Sequence, residues 1–354
     1  MNRSGCAKRR WRTPTSLRSI GCWNGWHNRA MARRRVGSNQ YKTRAGSVGA
    51  LTPDADLMAQ AQGLRGLNVK QRQVVAGNPN TPPEVLARLA GDKSVNVRGW
   101  ASKNPNTPPD ALARLAEDRD EWVRYWVAKN PNTPPEVLVW MLAGEDMDVR
   151  MAAAENPSTP PEVLARLLAE GDVRDPVARN PSCPPQLLAQ LLEGEDELVR
   201  QAVAENPSCP PEGLAQLARD EEDDVRQAAA ANPSCPPEVL VQLLEDEAVD
   251  VRMAAAGNPN TPPDALTQLA GDGWWQMRRR VAANPSCPPE VLGQLLADKD
   301  GDVRGAVAGN PSCPPETLAQ LAADRDEDVR EAAQKNPNLP EEYRQLARVA
   351  QQKA

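Results

Sequence analysis

The dipeptide Asn-Pro recurs at Asn78, Asn104, Asn130, Asn156, Asn180, Asn206, Asn232, Asn258, Asn284, Asn310 and Asn336. Nine of the ten intervals are 26 residues; the one from Asn156 to Asn180 is 24. A period this strict means one supersecondary unit copied along the chain, too small to bury its apolar face without its neighbours. The composition agrees. With 35 prolines, no phenylalanine and one histidine in 354 residues, the chain lacks large side chains for one deep core but can fill many shallow layers.

Each unit reads approximately Val-Arg-x-x-Val-Ala-x-Asn-Pro-x-(Thr/Cys)-Pro-Pro-Glu-x-Leu-x-x-Leu, followed by a short acidic stretch. Thr81 is expected to cap a helix, with Pro82 and Pro83 in its first turn and Glu84 completing a capping box. Leu86 and Leu89 then share its buried face. A second short helix places Val97 and Ala101 inward with Arg98 beside them, and must stop at Asn104 because Pro105 disfavours helical geometry before it. These features predict an all-α solenoid of about ten 26-residue two-helix repeats. A basic disordered arm is expected over 1–46, with Met31 an alternative start. A degenerate N-terminal capping repeat follows over 47–77, then the array over 78–335 and a polar C-terminal capping helix over 336–354. The short interval, with Pro176 inside a second helix, predicts a break in regularity near 170–180.

The motif Asn-Pro-x-Thr-Pro-Pro-Glu-x-Leu-x-x-Leu-Ala, preceded by Asp-Val-Arg-x-x-Val-Ala, resembles the bacterial leucine-rich repeat variant family over about residues 50–345. The resemblance implies a right-handed superhelix of alternating α and 3₁₀ helices, akin to HEAT and armadillo arrays. One type of family member carries an N-terminal iron–sulfur cluster on four cysteines. Here the arm has only Cys6 and Cys22, so that feature does not carry over.

Charge is divided sharply along the chain. Residues 1–53 hold 12 Lys and Arg and no acid, leaving 30 bases against 48 acids in the rest, so +12 is followed by −18. The acidic array makes nucleic acid an unlikely ligand for it, since phosphate binding needs clustered positive charge. A nucleic-acid-associated protein anchored by the basic arm is the alternative. No apolar run approaches the roughly 20 residues of a membrane span, and seven cysteines, an odd number, fit a reducing compartment. A cytoplasmic monomer is the expectation.

Eleven arginines stand six residues before each Asn: Arg72, Arg98, Arg124, Arg150, Arg174, Arg200, Arg226, Arg252, Arg278, Arg304 and Arg330. They read as a structural ladder, bonding loop carbonyls or aspartates such as Asp148, Asp224, Asp302 and Asp328, in preference to a phosphate track. Cys183, Cys209, Cys235, Cys287 and Cys313 replace threonine in their repeats. Equivalent atoms about 8–10 Å apart are too distant for disulfides or a shared zinc, so no metal or cofactor is expected. The sole histidine, His27, lies in the arm and no Gly-rich phosphate loop is present, which argues against an enzyme.

Deviations from the repeat are the candidates for function. Trp100 and Trp126 take a position held by alanine in most units, Trp122 precedes Trp126 by four, and Lys103 and Lys129 extend the stripe. Tyr125 and Trp140 lie close in sequence, and Trp274 and Trp275 form a second cluster before Arg278, Arg279 and Arg280. Two readings remain open: local core filling, or an exposed patch that binds a protein or peptide, because Trp and Tyr dominate interface hot spots. The second makes the chain a non-catalytic interaction scaffold; a redox or metal protein is a further rival.

Overall fold

The computed structural model describes residues 66–345 apart from 172, 193 and 195. The proposed arm, its nucleic-acid role and most of the N-terminal capping repeat lie outside these residues, as does the end of the C-terminal helix. The described residues fall into two compact units, divided between Ser182 and Cys183.

The first unit runs α1 (Val69–Gly77), α2 (Pro83–Leu89), α3 (Val95–Lys103), α4 (Pro109–Leu115), α5 (Glu121–Lys129), α6 (Pro135–Leu142), α7 (Met147–Ala154), α8 (Pro161–Glu170) and α9 (Arg174–Arg179). The second runs α10 (Pro185–Leu191), α11 (Glu197–Glu205), α12 (Pro211–Leu217), α13 (Asp223–Ala231), α14 (Pro237–Leu243), α15 (Val249–Gly257), α16 (Pro263–Leu269), α17 (Trp275–Ala283), α18 (Pro289–Leu295), α19 (Gly301–Gly309), α20 (Pro315–Leu321) and α21 (Glu327–Lys335). Among the described residues there is no strand, and no helix is long and apolar enough to cross a membrane. Each unit is a stack of helix pairs in which second helices of successive repeats pack side by side: α1, α3, α5, α7 and α9 in the first unit, α11, α13, α15, α17, α19 and α21 in the second.

The core is a column. Leu86, Leu112, Leu138 and Leu164 in the first unit, and Leu188, Leu214, Leu240, Leu266, Leu292 and Leu318 in the second, are all fully buried. Val97 and Ala101 face the same layer, also with no exposed surface. The first helices begin and end in tight turns. Pro82 O accepts from both Val85 and Leu86 N–H, and Arg88 O accepts from Gly91 N–H, so 3₁₀-type bonds occur at the helix ends.

The start of these helices differs from the expected capping box. Pro82 is itself the N-cap and no side chain bonds the free N–H groups. Thr81 turns the other way: its hydroxyl donates to Val75 O of the preceding helix at 2.5 Å, and Thr107, Thr133, Thr159 and Thr261 repeat the bond six residues back. A second proline at the N1 position fixes the helical φ and has no N–H to satisfy, so the Thr81 hydroxyl is free to bond the preceding helix.

The 24-residue interval is taken up in the loop between the two helices, which is three residues (171–173) where residues 90–94 give five, while the helix lengths shift in compensation. α8 extends to ten residues and ends on Gly171, whose φ of 80° is the left-handed conformation that favours glycine. α9 is cut to six residues. Pro176 does not kink a helix as the motif predicts. It is the third residue of α9, in the first turn, where a missing N–H loses no helical bond.

Candidate functional site

The repeating polar residues are committed to holding neighbouring repeats together. In nine repeats the Asn side chain reaches back to the previous one: Asn232 Nδ2 donates to Ala204 O at 2.6 Å and Asn206 O at 2.9 Å, while its Oδ1 accepts from Ser234 N–H at 2.8 Å. Asn104, Asn130, Asn156, Asn180, Asn258, Asn284, Asn310 and Asn336 make the same pair of amide bonds. The local turn is legible from Asn-Pro alone. The bonds to the preceding repeat are not.

The arginines bridge repeats as well, but to aspartates other than those the sequence suggests. Arg226 Nε and Nη2 donate to Asp246 at 2.7 and 3.0 Å, and its Nη1 donates to Asp220 O at 2.9 Å. Arg72–Asp92, Arg98–Asp118, Arg200–Asp220, Arg278–Asp298 and Arg304–Asp324 repeat this at a separation of 20, and Arg124 pairs with Asp146. Each partner lies in the loop of the next repeat. Asp148, Asp224, Asp302 and Asp328 instead stand in the first turns of their own helices, where negative charge meets the helix dipole. Arg252 and Arg330 bond loop carbonyls. Arg150 is half-buried, and Arg174 is exposed with Gly194 where its carboxylate partner would be.

Against this regular frame the tryptophans stand out. Trp122 is not on an exposed strip: it is 2 % exposed. It fills the space above Gly99, where a Cβ would stand 1.7 Å from its ring. Trp100 is half-buried over Gly77, and Trp126 is half-buried beside Tyr125, with ring centroids 5.4 Å apart in an edge-on arrangement. Burial pushes the Tyr125 hydroxyl above its ordinary pKa. Lys103 is exposed and joins two repeats, its ammonium 5.2 Å from the Trp100 centroid and 4.5 Å from that of Trp126. Lys129 pairs with Glu155. The indole N–H groups of Trp122 and Trp126 are buried and meet no acceptor, a cost these rings normally avoid.

The other candidates lie apart from that stack. Trp140 belongs to α6, a first helix, and is 36 % exposed. Trp274 and Trp275 lie in the second unit; Trp274 is 51 % exposed, whereas Trp275 packs on the core. The five repeat cysteines are buried free thiols, pushed by desolvation to about 11, and to about 12 for Cys235. Among the described residues no cluster of three or more His, Cys, Asp or Glu could hold a metal ion. The contribution of Gly99 and Gly77 escaped the sequence reading, though aligned repeat columns hold the signal: a glycine in one repeat, a tryptophan facing it in the next.

Comparison with known proteins identifies the repeat. The leucine rich repeat variant domain model matches residues 101–155, 148–206, 250–308 and 276–337, and the leucine rich repeat variant model matches 197–222 and 223–248. Among solved structures, a leucine-rich repeat variant with a novel repetitive structural motif is 27% identical, covering 68% of this chain and 85% of that one with a TM-score of 0.34. An engineered protein is 20% identical (79% and 97% covered, TM-score 0.29), and importin beta is 14% identical (86% and 47%, TM-score 0.31). No curated protein matches the chain. With its leucine column, its Asn and Arg bridges and family matches that together span more than half its length, the chain belongs to the leucine-rich repeat variant family.

Proposed function

We propose that the protein is a non-catalytic scaffold, a monomer of the reducing cytoplasm, that holds a protein or peptide on the second-helix face of its repeats. The observation that carries this reading is the stack of Trp100, Lys103 and Trp126. It spans two adjacent repeats at a position where others carry Ala152, Ala202, Ala228 and Ala254. The repeat does not require rings there, and ordered aromatic and cationic groups are what interface hot spots are made of. Most of the recurring Arg and Asn side chains are occupied between repeats, which favours a scaffold over an enzyme. Trp122, buried over Gly99, is not a contact residue in this reading.

The test is capture and re-measurement. The full chain is immobilised, a partner is recovered and purified, and its affinity is measured for the parent and for Lys103→Glu. Loss of about 2 kcal/mol, near thirtyfold, with an unchanged melting temperature is expected. Equal affinity for the variant would remove the stack from the interface.

A further inference from the structure

Glycines on the second helices are covered by side chains of the next repeat, except for two on α19. Gly77, one residue before Asn78, is covered by Trp100, four residues before Asn104; a Cβ there would meet the ring at 3.0 Å. Gly257, in the same place, is covered by Arg280 at 3.5 Å. Gly99, five residues before its Asn, is covered by Trp122, eight before the next. Helix α19 carries both glycines, Gly305 and Gly309, but α21 offers Asp328 and Ala332 at the covering positions. Nothing lies within 4 Å of a Cβ at Gly309, and the nearest atom to one at Gly305 is a Val329 methyl at 3.9 Å.

The result is a groove across α17, α19 and α21, floored by Gly305, Gly309, Ala306 and Ala332. Its rim holds Asp302, Asp326 and Asp328 against Arg279. Asp302 and Asp328 are exposed.

We propose that this groove is a docking socket for an indole side chain of a partner peptide that carries a basic residue next to it. The fold itself supplies the template. At two equivalent places it seats an indole on a glycine of the neighbouring helix, so a ring entering between α19 and α21 completes a packing pattern the chain already uses. Three carboxylates against one guanidinium select a cationic neighbour, and complementary charge gives specificity as well as faster encounter. The proposal rests on the scaffold reading but uses other residues.

The test uses the full chain and a labelled synthetic peptide, Gly-Ser-Arg-Trp-Arg-Ser-Gly, with fluorescence anisotropy as readout. The parent should bind it at least about tenfold more tightly than the versions with Trp replaced by Ala or with both Arg replaced by Glu. Ala332→Trp, which closes the groove as Trp100 closes the space over Gly77, should abolish that preference with the melting temperature maintained. Gly309→Leu, which fills the floor at an open position, does the same should the first variant fail to fold. Equal binding of the Trp and Ala peptides, or binding untouched by both groove variants, would overturn the socket. Tighter peptide binding in Trp11→Ala would assign it to the chain's own Arg10-Trp11-Arg12 segment and overturn a partner as its occupant. Failure of the scaffold reading shows separately, in the affinity of Lys103→Glu for a purified partner.

Discussion

Trp122 occupies the volume that any side chain at residue 99 would need: a Cβ on Gly99 would stand 1.7 Å from the ring. The two belong to adjacent helices of adjacent repeats, so the pair acts as a local key between them. Most other repeats place a larger residue and an aspartate in these columns, as in Gln201 with Asp224 and Gln227 with Asp250.

Gly99→Ala is therefore expected to destabilise the first unit by about 1–3 kcal/mol, the range of overpacked cores. The cost should largely vanish in the Trp122→Asp background, where the ring is gone and the column matches other repeats. Thermal denaturation of the four proteins in this cycle measures the coupling. Equal costs in both backgrounds would mean that the ring moves aside without penalty.

The Arg–Asp bridges predict how stability follows pH. Hydrogen bonds from Arg226, Arg278 and Arg304 hold Asp246, Asp298 and Asp324 below the ordinary carboxyl range. For Asp92, Asp118 and Asp220 burial pushes upward, and the bonds from Arg72, Arg98 and Arg200 together with backbone N–H groups more than offset it. A carboxyl whose folded pKa is depressed adds stability above its unfolded value, about 3.9, and loses it as pH falls through the folded value. The array should hold its stability through neutral pH and lose it below about pH 4. Asp246→Asn should cost roughly 1–3 kcal/mol at pH 7, with a difference from the parent that shrinks in acid. Arg174→Ala, at an exposed site, should stay within about 0.5 kcal/mol.

The Asn column is a stronger test of what holds the stack. Asn232 satisfies Ala204 O, Asn206 O and Ser234 N–H at once. Asn232→Ala leaves all three backbone groups without that partner in a site that is 3 % exposed. At about 1 kcal/mol or more for each, the loss should be near 3 kcal/mol, read as a shift of the urea midpoint. A loss below about 1 kcal/mol would show that water replaces the amide.

The period, the helix pair and the buried Leu and Val columns were legible in the sequence because they follow from local rules: proline geometry, apolar spacing and repetition. The bridges were half legible. Arg and Asn recur conspicuously, yet their partners lie 20 to 28 residues away, in the next repeat for Arg and the previous one for Asn, and no local rule selects Asp246 over Asp224 for Arg226. The tryptophan stripe was misread at Trp122 for a related reason. Spacing along one helix placed Trp122 with Trp126, but its burial depends on the missing side chain of Gly99, one repeat earlier.

The cysteine column yields a prediction at the alkaline end. Desolvation raises Cys183, Cys209, Cys287 and Cys313 to about 11 and Cys235 to about 12. An unfolded thiol titrates near 8.5. A group whose folded pKa is raised contributes stability that is complete below the unfolded value and is lost as pH rises toward the folded one. Native protein at pH 8 should therefore react slowly with a thiol reagent at these five positions, because little thiolate is present, and rapidly after denaturation. Stability should decline from about pH 8.5 upward. Threonine in this column donates its hydroxyl to the carbonyl six residues back, as Thr261 does to Ala255 O at 2.5 Å. Cys235→Thr should accordingly add about 0.5–1.5 kcal/mol, the net contribution of one hydrogen bond, and remove that site's part of the alkaline decline. A variant less stable than the parent at pH 7 would mean that sulfur, rather than a hydroxyl, is what the second unit's packing accommodates.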